Sequence, residues 1–180
     1  MMLFQPIIKC ERKRGQMEHG QIPGGDKVRE LLIKKLGKVY MVQTNLEAAL
    51  PRLARQSHLP GAKKAIAKTA RYIRQQLGGI ILMLAILGGS TFADNDQNPA
   101  TFYADDTETS ITPTDDTPDD DMKNISRLYM AASVSAASYR SMQIVTKSFG
   151  VADIESLLKD NLKEAESDKE QLLEALIRYL

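Results

Sequence analysis

Residues 62–87, AKKAIAKTARYIRQQLGGIILMLAIL, decide how this chain folds. Ala62, Ile66, Thr69, Ile73, Gln76, Ile80, Met83 and Leu87 recur at steps of three and four, the period of one face of an α-helix. Beyond Gln76 the segment is apolar nearly all round, so that end needs cover on more than one side. Gly88-Gly89 offers a stop. No charge occurs from 75 to 93, which raises the question of a membrane span. The densely apolar part is only about eleven residues and contains Gly78 and Gly79, whereas a span needs about 20. A buried core helix in a cytoplasmic protein is therefore expected, with the membrane disfavoured as a partner.

Upstream, residues 27–57 carry a second stripe of Val28, Leu32, Leu36, Val39, Gln43, Leu46, Leu50 and Leu53. Pro51 lies inside it and is expected to kink or break the helix, because proline lacks the N–H and its ring crowds the preceding turn. His58-Leu59-Pro60-Gly61 ends that helix. Downstream, residues 122–148 place Ile125, Leu128, Ala132, Ser135, Tyr139, Met142, Thr146 and Phe149 in register, with Gly150 as a cap. Asp119, Asp120 and Asp121 precede this helix, where negative charge favours the dipole. Residues 152–179 give the stripe Ile154, Leu158, Leu162, Ala165, Lys169, Leu172 and Leu176. Their other face, with Lys163, Glu164, Glu166, Asp168 and Glu170, alternates in sign and reads as solvated. Two helix pairs with short turns, separated by a long link, make an all-α four-helix bundle with a crossover between helices two and three.

The 180 residues suffice for one domain, and 43% apolar with 26% charged residues marks a chain that folds. A net charge of +1 excludes a globally basic nucleic-acid binder, yet it hides a strong polarity along the chain. Residues 1–25 read as a flexible N-terminal arm, and 26–180 as the bundle. Inside the bundle, 90–121 is an acidic, proline-containing link with a charge of −10. Residues 26–89 carry +9. The single cysteine, Cys10, excludes an intrachain disulfide and reads as an ordinary exposed thiol despite its basic neighbours. His19 and His58 lack a second ligand at helical spacing.

The stretches 31–54 (LLIKKLGKVYMVQTNLEAALPRLA), 59–88, 137–150 (ASYRSMQIVTKSFG) and 157–175 (LLKDNLKEAESDKEQLLEA) resemble a known family. This is the YciE/YciF-like branch of the ferritin-like superfamily, small bacterial proteins described as stress-associated. The resemblance covers the bundle and implies a ferritin-like fold with inward carboxylates and histidine around a di-iron site. This sequence departs from that pattern. Gln43 stands where the first helix carries glutamate, and Thr69 where the second carries an acid or histidine. Ala132, Ser133 and Ser135 fall on the cluster of helix three, and Glu164 is followed by Ala165 in helix four.

The residues themselves lead to the same expectation. Segments 62–87 and 122–149 contain no Asp, Glu, His or Cys. A dimetal centre needs about six such ligands spread over the four helices. No metal, no cofactor and no enzymatic activity are therefore expected, and the centre is a degenerate metal site. It is either a filled or water-holding core or a small ligand pocket.

One surface feature stands out. Arg52, Arg55, Lys63, Lys64, Lys68, Arg71 and Arg74 lie in a region without an acid from Ala48 to Ala93. An acidic protein partner fits this patch; nucleic acid fits less well, since only Tyr72 is interleaved for stacking. The apolar end at Ile80–Leu87 points to a homodimer. The sequence is read as a non-catalytic, metal-free helical bundle with a structural or interaction role in bacterial stress. The alternatives are a membrane-anchored helical protein and a residual di-iron oxidoreductase.

Overall fold

A computed structural model describes residues 25–89, 118–147 and 152–179. The arm before Gly25, the link over 90–117, Cys10, His19 and Phe149 lie outside the described residues. Four α-helices form the structure: α1 (Gly25–Gln56), α2 (Pro60–Ile86), α3 (Pro118–Lys147) and α4 (Ala152–Ile177). Each carries a face that can be buried only against the others. α1 packs on α2, α2 on α4 and α4 on α3, and a sparser seam between α1 and α3 closes the bundle. The hydrogen bonds Lys35–Ser141 and Gln43–Tyr139 show α1 antiparallel to α3, and Thr69–Asp168 with Ala62–Tyr179 show α2 antiparallel to α4.

The stripe read in α2 is buried at every position, as are the described members of the α3 stripe. In α1, Val28 and Leu46 are only partly buried. Two expectations need correction. Pro51 does not interrupt α1, which stays helical through it. Its side chain is exposed, so the ring meets no neighbouring helix, and one main-chain donor is lost without unwinding the turn. Asp119, Asp120 and Asp121 belong to the first turn of α3 rather than to the link.

The two ends of the bundle are tied by polar contacts. Asp121, buried in α3, accepts hydrogen bonds at one carboxylate oxygen from the backbone N–H groups of His58 (2.8 Å) and Leu59 (2.7 Å). Leu59 is the N-cap of α2 and its own side chain cannot cap, so a carboxylate from another helix does so. Beside it, the Tyr179 hydroxyl accepts from the Ala62 N–H at 3.1 Å. A Cβ at Gly61 would overlap that hydroxyl, so glycine in the first turn of α2 lets Tyr179 approach. At the opposite end Arg29 Nε donates to the Leu87 carbonyl at 2.6 Å, satisfying an orphan acceptor where α2 stops. Gly88 follows with φ +63°, the left-handed conformation that ends helices.

Asp121→Ala is expected to cost about 1–2 kcal/mol, the size of a lost helix cap. Asp121→Asn keeps an acceptor and is expected to lose less. Urea unfolding with an unchanged slope checks both.

Candidate functional site

The apolar core falls into two clusters. One gathers Leu32, Leu36, Ile80, Met83, Met142 and Leu158. The other gathers Leu50, Leu53, Ile66, Ile125, Leu128 and Leu172. Between them, at mid-bundle, all four helices contribute polar side chains: Gln43 from α1, Thr69 and Gln76 from α2, Ser135 and Tyr139 from α3, Asn161 and Asp168 from α4. Each is almost completely buried.

Burial of this many polar groups is tolerable only where they satisfy one another. Gln43 Nε2 donates to Gln76 Oε1 and to the Tyr139 hydroxyl, the latter at 3.1 Å. Asn161 Nδ2 donates to the Gln76 carbonyl at 3.0 Å. A Cβ on Gly79 would overlap the Asn161 amide, so glycine lets α4 approach α2 closely. On the other side of the layer, the Thr69 hydroxyl donates to Asp168 Oδ1 at 2.6 Å. Half-buried Gln171 donates to the same oxygen at 2.8 Å and to Thr69 Oγ1 at 3.0 Å. Burial outweighs these hydrogen bonds and the attraction of Lys68, and pushes the Asp168 carboxyl up from 3.8 to about 6.

One acceptor in the layer has no partner: Gln43 Oε1 is buried and unbonded. The layer also holds a cavity of about 10 Å³, lined by Gln43, Thr69, Gln76, Ser135 and Asp168 with apolar neighbours. That space admits one water-sized occupant.

The structure thus brings Gln43, Thr69, Ala132, Ser135 and Ala165 to the centre, all buried. Ser133 is half-buried and spends its hydroxyl on the Tyr129 carbonyl of its own helix (2.8 Å). Glu164 sits half-buried on the flank of α4. The reading of α4 is corrected here. Its inner face runs through Asn161, Asp168 and Ala175, while Leu162, Lys169 and Leu176 are only half-buried. Asp168 is a core residue and not part of a solvated face. Hydrophobic pattern alone prefers the adjacent leucines. Asn161 and Asp168 are polar, so no hydrophobic period marks them in the sequence.

The basic residues form a solvent-facing cluster around the α1–α2 turn and along α2. Arg55, Lys63, Lys64, Lys68, Arg71 and Arg74 are exposed and Arg52 is half-buried. Arg74 pairs with Glu47 at 2.9 Å, and Lys68 and Arg71 lie 5.7 and 5.6 Å from the Tyr72 ring centre.

The resemblance implies a di-iron centre, and the layer does not fit one. It offers one carboxylate, already engaged by Thr69 and Gln171, with neutral amides and hydroxyls. Among the described residues no three His, Cys, Asp or Glu side chains are grouped so as to hold a metal. Also among them, no helix is long and apolar enough to cross a membrane.

A family profile described as a domain of unknown function, DUF892, matches residues 27–178. The chain belongs to that family. Solved structures similar to this DUF892 chain include protein XCC3681 from Xanthomonas campestris, at 22% identity and TM-score 0.64, covering 84% of this chain and 92% of that one. YcfI from Rhodopseudomonas palustris, for which a structural role has been suggested, matches at 18% identity and TM-score 0.68, covering 81% and 92%. The Escherichia coli stress protein YciF matches at 17% identity and TM-score 0.65, covering 83% and 94%. These likenesses establish the YciF-like helical fold. No curated protein matches the sequence.

Two outcomes follow for the DUF892 layer. Gly79→Ala is expected to destabilise by about 1–3 kcal/mol through overpacking, despite alanine's better helix propensity, and Asn161→Ala in the same chain should relieve it. Chemical denaturation of the two single variants and the double variant measures this coupling.

The second concerns pH. The native Asp168 carboxyl binds its proton more tightly than the unfolded one. The contribution of this group to stability is therefore highest below 3.8 and falls as pH rises to about 6. The full drop from this group is about 3 kcal/mol. Asp168→Asn should remove that fall and be the more stable protein at neutral pH. Thermal unfolding of both proteins from pH 4 to pH 8 at low salt checks the sign.

Proposed function

We propose that this DUF892 chain is a non-catalytic cytoplasmic protein, a ferritin-like bundle without a dimetal centre that acts through its surfaces. The observation that carries the reading is the central layer. Gln43 Oε1 apart, its amides, the Thr69 and Tyr139 hydroxyls and its single carboxylate form hydrogen bonds that reach all four helices, which is what a structural core asks of buried polar groups. Oxidative chemistry on bound iron asks instead for several charged oxygens left open to the metal. A role in a bacterial stress response is in keeping with the described character of YciF.

The surface favours a homodimer. Ile81, Leu82 and Ile86, at 46%, 56% and 51% exposure, form a stripe on the uncharged end of α2. Apolar side chains grouped in this way are commonly covered by a partner, and a second copy of the chain is the simplest one. The basic cluster at the other end of α2 suits an acidic protein partner.

Light scattering at micromolar concentration should give the mass of two chains, and Leu82→Glu should give one. A wild-type monomer overturns the dimer. Anaerobic loading with Fe(II) followed by metal analysis should leave far less than one iron per chain. Two per chain, with oxygen consumption, would restore the oxidoreductase reading.

A further inference from the structure

We infer that the outer face of α2, from Arg71 to Ile86, docks antiparallel on the same face of a second copy, with Gly78 of each chain against the partner's Ala85. The inference rests on the homodimer reading above and names its interface. The first support is Gly78. Glycine is a poor residue for a helix interior, and α2 carries two in succession. Gly79 is accounted for inside the chain, because Asn161 occupies the space a side chain would need. Gly78 is exposed, and a Cβ there would meet nothing within 4 Å. No contact among the described residues asks for glycine at that position.

Its neighbours on the helix surface give it a use. Arg71, Gly78 and Ala85 are seven residues apart, about two helical turns, and run in one exposed line along α2. Ile81 flanks that line on one side, and Leu82 and Ile86 flank it on the other, all exposed. The result is a shallow track with a floor of small residues and aliphatic walls, into which another helix can come close. The track is also complementary to itself. A two-fold axis between Ile81 and Leu82 sets Gly78 against the partner's Ala85 and Ile81 against the partner's Leu82. Each contact then occurs twice, as an isologous interface requires.

Charge fixes the direction and favours a second copy over an unrelated apolar partner. Residues 75–93 carry no charge, whereas Lys63, Lys64, Lys68, Arg71 and Arg74 crowd the other half of α2. Parallel pairing would set these cations against their own copies. Antiparallel pairing slides them apart and brings Arg74, with Arg71 one turn beyond it, to the C-terminal end of α2 in the other chain. That end carries the negative pole of the helix and has no basic residue in its own last turn. Arg74 gives its Nε to Glu47 and keeps its other N–H groups for such a contact. One face thus supplies both halves of the match.

Sedimentation equilibrium of the full-length protein and its variants tests this. Gly78→Leu fills the floor of the track and should weaken dimerisation at least tenfold. Its circular dichroism and its melting as a dilute monomer should match or exceed wild type, because the added side chain meets open space on a helix it favours. Ala67→Leu, exposed on the same helix outside the paired span, should leave the dimer intact. Orientation is read by cross-linking in chains that also carry Cys10→Ser. When Gly78→Cys and Ala85→Cys proteins are mixed under mild oxidation, the mixed disulfide should dominate over either self-disulfide. Self-disulfides at both positions would mean a parallel pair and overturn the inference. A dimer that survives Gly78→Leu overturns it as well, and leaves the homodimer standing on another surface. A monomeric wild type ends both readings.

Discussion

The level of Gln43, Thr69, Tyr139 and Asp168 constrains everything else in this bundle. Apolar packing alone is forgiving about how far one helix slides along another, since a leucine finds another leucine a turn away. Hydrogen bonds are not. Sliding α4 by one turn against α2 would separate Asp168 from Thr69 and Asn161 from the Gln76 carbonyl, and bury both groups unsatisfied. Each orphaned group costs about 1–3 kcal/mol, a large fraction of the stability of a small domain. The layer fixes the register of four helices at once, and the apolar clusters on either side supply the cohesion.

The bundle ends follow from that register. With α2 set against α4, Tyr179 reaches the first turn of α2, where Gly61 leaves room for its hydroxyl. With α1 set against α3, Asp121 meets the open N–H groups of the α1–α2 turn. These clamps matter for topology. Helices two and three are joined by a long acidic stretch, which by itself does little to fix where α3 docks. Asp121, the last of the ten acids in that stretch, ties the start of α3 to the start of α2.

How much of this was legible in the sequence depended on residue chemistry. The inner face of α2 could be read in full because its polar members, Thr69 and Gln76, sit between isoleucines at unbroken helical steps. The same method found Ile154, Leu158, Ala165 and Leu172 in α4 but missed the inner positions Asn161 and Asp168, each of which is followed by a residue that fits the pattern as well or better. Leu162 is more apolar than Asn161, and Lys169 left the stripe in phase with Leu172 and Leu176. Partners decide such cases. Asp168 is inside because Thr69 and Gln171 meet it, 99 residues and one turn away. The role of Asp121 was hidden for the same reason, since its partners are backbone groups of a turn 62 and 63 residues earlier. Pro51 misled in the opposite sense, because one missing donor on an exposed face is a smaller loss than the packing of Leu50 and Leu53 on either side of it.

A buried layer of amides, hydroxyls and one acid is a compromise between two demands. An all-apolar centre of the same volume would be more cohesive, but less particular about helix order and register. A centre rich in carboxylates would be particular, but needs positive charge to fold around. Here Ala132 and Ala165 keep the helices close, while Gln43, Thr69 and Asn161 supply neutral hydrogen bonds. Asp168 alone retains a charge to lose or compensate. That one group makes the centre responsive to protons. The other groups of the layer are neutral, so such a response would act on the stability of the whole bundle and not on a local site.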